Sequence, residues 1–385
     1  MSRIRRIPTV FLAVVIGVLI TGHAWAYQIT LHGGPVMDIP EAWSLSEDDP
    51  DVPSWYSPDR AAAAEAMLWA PGSWDDMQEF VDSVRPDGAE GDVVAFPHWG
   101  GRVALADWTF STSSGTVRGW FLMVIGSGPD VRISAIAGAE DFEAVQPFLL
   151  SVIDSYAPAD RWLRTPGAMG RFLELTGPEG EQTATVPFGG DELSWSRSPA
   201  ADAASQDVIE REALVLSAYG NTPDLFYAAW ERYYRLIYRD SYSRLTPLAD
   251  ALKTGPLPPG VTPDRKVAEE ILSWLQGFAY GSTDGFSDLL APSVACAART
   301  GDCDSLGLAF LILMDGYGVD GRLLLSYEAS HALAAIDVSG EGLRYSEGET
   351  TWLVAELTSR LPLGALPERL NGVSDWYGIS LSDNE

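Results

Sequence analysis

The stretch RTGDCDSLGLAFLILMDGYG, residues 299–318, decides how the C-terminal part of this chain is read. From Leu306 to Met314 it is apolar nearly all round, which predicts a central, buried helix. Gly316 and Gly318 end it. Cys303 therefore falls in the first turn of a core helix. Unpaired backbone N–H groups and the positive end of the helix dipole favour a thiolate there and predict a lowered pKa. The same N–H groups can hold an oxyanion.

A thiol nucleophile needs a base, and the base needs an orienting group. GRLLLSYEASHALAAIDV, residues 321–338, reads as two strands, with His331 opening the second. TTWLVAELTSRLPLG, residues 350–364, supplies a third strand, with Glu356 near its end. Asp337 is a competing acid on the His331 strand. It lies about 20 Å along that strand at about 3.3 Å per residue, too far for a hydrogen bond. Glu356 on a neighbouring strand has no such handicap.

The ordered set resembles the transglutaminase-like cysteine enzymes, relatives of the papain-like fold. The residues that carry the resemblance are Gly301-Asp302-Cys303, His331-Ala332, and Trp352 with Glu356-Leu357-Thr358. SWLQGFAYG, residues 273–281, is similar to the helix that precedes the cysteine, with Tyr280 at an aromatic position. The resemblance covers about residues 264–366. It implies Cys303 as nucleophile, His331 as base and then acid, and Glu356 as the group orienting the imidazole. It implies an oxyanion site at the Cys303 N–H, with help from the Trp274–Tyr280 helix, and acyl transfer or hydrolysis of amides. No cofactor or metal is implied. Two features depart from the pattern: the usual acid is Asp rather than Glu, and SGEGLRYSEGE, residues 339–349, reads as a lengthened hairpin turn.

Other readings of the same residues stay open. Cys296 and Cys303 could form a disulfide, which would silence the nucleophile. Cys303 could also be a packing residue in an inactive transglutaminase-like domain that serves binding or assembly in the cell envelope.

Upstream, three β-rich runs, residues 101–110, 116–125 and 130–138, are separated by turn-like segments and predict an antiparallel meander. An amphipathic helix over 139–156 closes it. AAAAEAMLWA (61–70) and SWDDMQEFVDSV (73–84) suggest short helices. This region looks loosely like the PsbP and Mog1 type of α/β sandwich. Residues 157–260 form a middle region: a strand and turn over 184–196, a helix over 205–220, and a longer one capped by Thr222 and Pro223. On the latter, Trp230, Tyr234, Ile237 and Tyr238 share a face. The interleaved arginines read as ion pairs on the outer face, Glu231 with Arg235 and Asp240 with Arg244, rather than as a nucleic-acid patch. KTGPLPPGVTP, residues 253–263, is a linker. His32 and His98 sit in turn-like contexts and read as structural.

The expected fold class is α+β, with an N-terminal antiparallel-sheet α/β sandwich, a helical middle region and a C-terminal transglutaminase-like, papain-like domain. The expected divisions are 1–26, 27–156, 157–260 and 261–385. The first 26 residues read as a secretory signal: Arg3, Arg5 and Arg6, an apolar run, then AWA ending at Ala26. The apolar run is short for a bilayer span, so no integral span is expected after cleavage. A net charge of −29 argues against nucleic acid and anionic membrane surfaces as partners. An exported protein with this site would meet protein, peptide or cell-wall peptide substrates.

Overall fold

The computed structural model describes residues 27–46, 52–254, 265–370, 373 and 375–381. The signal segment 1–26 and all but the first two residues of the linker 253–263 lie outside the described residues. The described chain is α+β and divides into two compact units, Met1–Ala159 and Asp160–Glu385.

The first unit contains β1 (Tyr27–Thr30), β2 (Val36–Ile39), β3 (Ser44–Leu45), β4 (Ser54–Tyr56), β5 (Ala62–Trp69), α1 (Met77–Val84), β6 (Glu90–His98), β7 (Gly101–Thr112), β8 (Gly115–Ile125), β9 (Asp130–Gly138) and α2 (Phe142–Ser155). Its main sheet is antiparallel, in the order β3-β4-β5-β9-β8-β7-β6. Ala104, Ala106, Phe121 and Met123 face α1, whose Phe80 and Val81 are buried with them. The stretch 61–70, helical by its alanines, is instead a strand. Ala62, Ala64 and Ala66 are buried in alternation, and β5 pairs with β9 from Ala62↔Ala137 to Trp69↔Asp130. Period-two burial against a neighbouring strand overrides a weak helical propensity.

The second unit opens with α3 (Ala168–Thr176), the hairpin β10 (Gln182–Phe188) and β11 (Asp191–Arg197), then α4 (Pro199–Ser217) and α5 (Pro223–Thr254). There follow α6 (Arg265–Leu275), β12 (Ala279–Tyr280), α7 (Pro292–Ala298), β13 (Thr300–Gly301) and α8 (Cys303–Asp315). The last elements are β14 (Gly321–Ser326), β15 (His331–Ile336), β16 (Arg344–Glu347), β17 (Thr350–Ala355) and β18 (Tyr377–Ser380). They form an antiparallel sheet in the order β16-β17-β15-β14-β18.

Both faces of this sheet are buried, which explains the near-continuous apolar runs of β14 and β15. Leu323, Leu325, Ala332, Ala334 and Ile336 share a core with α8, and Leu324, Leu333, Trp352 and Val354 form a smaller one on the opposite face. Every residue of α8 from Ser305 to Met314 is buried. At roughly 1.5–3 kcal/mol for each large apolar side chain taken out of water, that helix is the main anchor of the unit.

Residues 160–254 do not stand apart from this core. Val186 and Trp195 of the hairpin, Ile209 of α4 and Tyr234, Ile237 and Tyr238 of α5 belong to the same apolar cluster as Leu308 and Phe310. The arginines of α5 are likewise internal. Arg244 bonds Asp240 at 2.9 Å and Glu174 at 3.4 Å, with only 4 % of its side chain exposed. Arg232 reaches the buried Glu212 at 3.4 Å. The Asp240–Arg244 pair is therefore buried and not on an outer face. Helix α5 packs against α4, α8 and β11, so its middle turns from Arg232 to Ser241 are buried apart from Arg235, while Tyr227, Thr246 and Asp250 stay exposed.

Candidate active site

Cys303 is the first residue of α8. Its predecessor Asp302 caps the helix: its side chain accepts the Ser305 N–H at 2.8 Å. Cys303 is 8 % exposed, and both cysteines are free thiols. The backbone N–H of Ala332, one residue after His331, donates to the sulfur. That contact places the thiol at the start of β15.

His331 opens β15, and its Nε2 lies 2.9 Å from Oε2 of Glu356. Register explains the meeting. Strand β17 pairs with β15 through Ala355↔Ala334, and Glu356 leaves the end of β17 beside the start of β15. The Glu356 side chain is fully buried. Burial alone would raise its pKa, but the bonds from His331 and Thr358 outweigh it and hold the carboxyl below its ordinary range. The N–H and hydroxyl of Thr358 both donate to Oε1 at 2.7 Å. An ionised Glu356 at Nε2 keeps the proton on that nitrogen and leaves Nδ1 as the basic one.

The three expected residues thus converge on one end of the sheet, but not as a closed triad. Among the described residues, the thiol donates to Oδ1 of Asp304 at 3.5 Å, and its partner is not His331. The environment also opposes the expected thiolate. Burial first, then the Asp304 carboxylate, push the Cys303 thiol up, and the Ala332 N–H offsets only part of this. The helix terminus that should have lowered the pKa carries its own acid in the first turn.

Asp304 went unassigned in the sequence because nothing in GDCDS separates a helix-terminal acid from one aimed at the sulfur. Its other oxygen, Oδ2, accepts from the Tyr234 hydroxyl of α5 at 2.8 Å. Burial and the neighbouring Asp302 carboxylate raise it. Tyr280 pairs with Gly301 across β12 and β13, stands 73 % exposed, and feels the nearby Asp302 and Asp304 carboxylates.

The stretch expected as a Trp274–Tyr280 helix leaves helix α6 at Leu275 and ends in strand β12, and its side chains are otherwise engaged. Trp274 donates its indole N–H to the Pro187 carbonyl at 3.0 Å. The Gln276 amide donates to the carbonyls of Glu356 at 2.8 Å and Leu361 at 2.9 Å. Neither side chain serves an oxyanion in this arrangement; Gln276 instead fixes the backbone that carries Glu356. The SGEGLRYSEGE segment holds a strand of its own, β16, paired with β17. Asp337 donates its N–H to the Asp320 carbonyl at 2.8 Å, at the far end of β15 from His331.

A cavity of about 340 Å³ elsewhere in this unit is lined by Arg197, Asp202, Gln206, Thr283, Leu290 and Val294 and includes none of the three candidate residues. No group of three His, Cys, Asp or Glu side chains among the described residues could hold a metal ion. No described helix is long and apolar enough to cross a membrane.

No protein-family model matches the chain, and no curated protein matches it. Among solved structures it is similar to the cyanobacterial PsbP of Synechocystis sp. PCC 6803, at 12% identity over 35% of this chain and 94% of that one, with a TM-score of 0.29. It is similar to LpqN, involved in cell envelope biogenesis of Mycobacterium tuberculosis, at 13% identity over 33% and 86%, with a TM-score of 0.21. A protein of Bacteroides thetaiotaomicron VPI-5482 aligns over 80% of this chain and 84% of its own, at 8% identity and a TM-score of 0.24. None of these is described as a transglutaminase-like enzyme.

Proposed function

We propose that this chain is an exported, transglutaminase-like thiol enzyme that transfers or hydrolyses the acyl group of amides, with protein, peptide or cell-wall peptide substrates. The observation that carries the reading is the buried His331–Glu356 bond of 2.9 Å beside the N-terminus of the cysteine helix. A buried acid–imidazole pair with a fixed tautomer is what a nucleophile's base requires.

In the proposed reaction Nδ1 of His331 takes the thiol proton as Sγ bonds to the carbonyl carbon, and the π pair moves to oxygen. The first-turn N–H of Cys303, which has no partner within its helix, meets that oxyanion. Collapse breaks the C–N bond, and the leaving amine takes the proton from the imidazolium. Water or a second amine then opens the thioester, giving hydrolysis or transamidation.

The second reading, an inactive domain used for binding or assembly in the envelope, is favoured by one observation: the buried thiol is turned to Asp304. Turnover of an activated amide by the purified chain, lost in Cys303→Ala and His331→Ala, supports the enzyme. Absence of a covalent acyl adduct on Cys303 by mass spectrometry, with every activated ester and amide tried, overturns it.

A further inference from the structure

Resting on the thiol-enzyme reading, we propose that Asp304 is a positioning residue that holds the Cys303 proton, so that His331 gains the thiol only when the Asp304 carboxyl is neutral. The geometry is a three-residue chain. Tyr234 of α5 donates to Oδ2 of Asp304 at 2.8 Å, and Cys303 donates to Oδ1 of the same carboxyl at 3.5 Å. A carboxylate with both oxygens engaged is fixed in orientation, and here one of those oxygens is fixed on the sulfur.

The charges around this chain work against an ionised Asp304 and so make the parked state one that protonation can release. After burial, the strongest influences raising Asp304 are the carboxylates Asp302, from the cap of α8, and Asp288, from the loop before α7. Tyr233 and Tyr234 of α5 and Tyr280 of β12 also face the cluster and feel Asp304. Two adjacent anions in a site with little water are expensive, so Asp304 and Cys303 share one negative charge between them. While Asp304 carries it, the sulfur stays a thiol.

The proton movements balance. Asp304 takes one proton from solvent and stops accepting from S–H. The thiol then turns to Nδ1 of His331, which receives that second proton as Sγ attacks. Nothing is oxidised, and no third reactant is needed. The device also has a chemical use: a neutral, parked thiol is a poor target for oxidants and alkylating agents, because the thiolate is the reactive form.

The test measures iodoacetamide alkylation against pH on the full chain in a Cys296→Ala background, so that the signal comes from Cys303 alone. In Asp304→Asn the shape is kept and the charge is gone. Its profile is expected to move to lower pH, with alkylation about ten-fold faster below the parent midpoint, the change that one pKa unit produces. In Tyr234→Phe the carboxyl loses a donor that favours its charged form, stays protonated to higher pH, and shifts the profile the same way by less. A folded Asp304→Asn protein with an unchanged or slower profile overturns the proposal. Should that variant not fold, Tyr234→Phe decides in the same terms. Turnover by the parent with unmoved profiles removes the role of Asp304 and leaves the enzyme standing. Shifted profiles with no turnover of any acyl substrate keep Asp304 as the holder of the thiol and remove the enzyme.

Discussion

Thr358 gives two hydrogen bonds to a single oxygen of Glu356, each 2.7 Å long, and so leaves the other oxygen to His331. A carboxylate tied on one side cannot rotate away from the imidazole. Glu356→Gln keeps the shape but can present an N–H to Nε2, which forces the wrong tautomer. Its kcat/KM is expected to fall about 10³–10⁴-fold on any substrate the parent turns over, on the scale of triad acids. Thr358→Val, which removes only the hydroxyl donor, should cost about ten-fold, read in the same assay.

The same residue predicts a pH dependence of stability. The folded-state pKa of Glu356 lies below its unfolded value, so its contribution is fully present above the unfolded pKa of about 4.3 and is lost as pH falls through the folded one. Thermal melts of the parent should lose stability below about pH 4.5 more steeply than those of Glu356→Gln. Parallel slopes would show that the pair is not ionised in the fold.

Burial pushes the Cys296 thiol up to about 12. Its folded-state pKa is raised above the unfolded value of about 8.5, so stability is intact below that pH and declines between it and about 12 as the unfolded chain ionises. Cys296→Ala should flatten the alkaline limb of a urea-denaturation series. In the native protein a thiol reagent should leave Cys296 unmodified, and in denaturant it should reach both cysteines.

Arg244, Asp240 and Glu174 form a buried ion network whose arginine side chain is 4 % exposed. Arg244→Met strands Asp240 in the interior and is expected to cost about 3–5 kcal/mol in chemical denaturation. Adding Asp240→Leu should recover much of that loss, because replacing both partners removes the unpaired charge.

In the first unit, a Cβ at Gly119 would meet the Ala135 carbonyl oxygen at 2.6 Å and the Ile136 Cα at 2.9 Å. Both are backbone atoms of the paired strand β9, which cannot step aside. Gly119→Ala should therefore lower the midpoint of the first unit's unfolding by the equivalent of about 1–3 kcal/mol. Ala137→Gly on the same strand, with no such clash, gives the contrasting control.

Helix α8 and its flanking strands were legible because an unbroken apolar run is a strong signal of an element buried on every side. The order Cys303, His331, Glu356 followed from strand spacing, and the register of β15 with β17 delivers the expected His–Glu contact. The alanine run of β5 misled because alanine fits either backbone, and only the neighbouring strand decides. Strand β6 was silent because it is an edge with both sides largely exposed, so no alternation marks it. Asp304 was invisible in its role because its meaning depends on Tyr234, which sits on a distant helix in the chain.

Strand β14, whose neighbour carries His331, has β18 as its other partner, with Arg322 opposite Ser380 and Leu325 opposite Tyr377. A long excursion through β15, β16 and β17 must be finished before that edge is covered. During synthesis, then, the sheet beside Cys303 stays unsealed until β18 emerges. A fragment cut before Tyr377 would bare a row of unpaired amides and tend to stick to other chains. That edge is thus closed last, by the segment farthest from the cysteine along this sheet's run of chain.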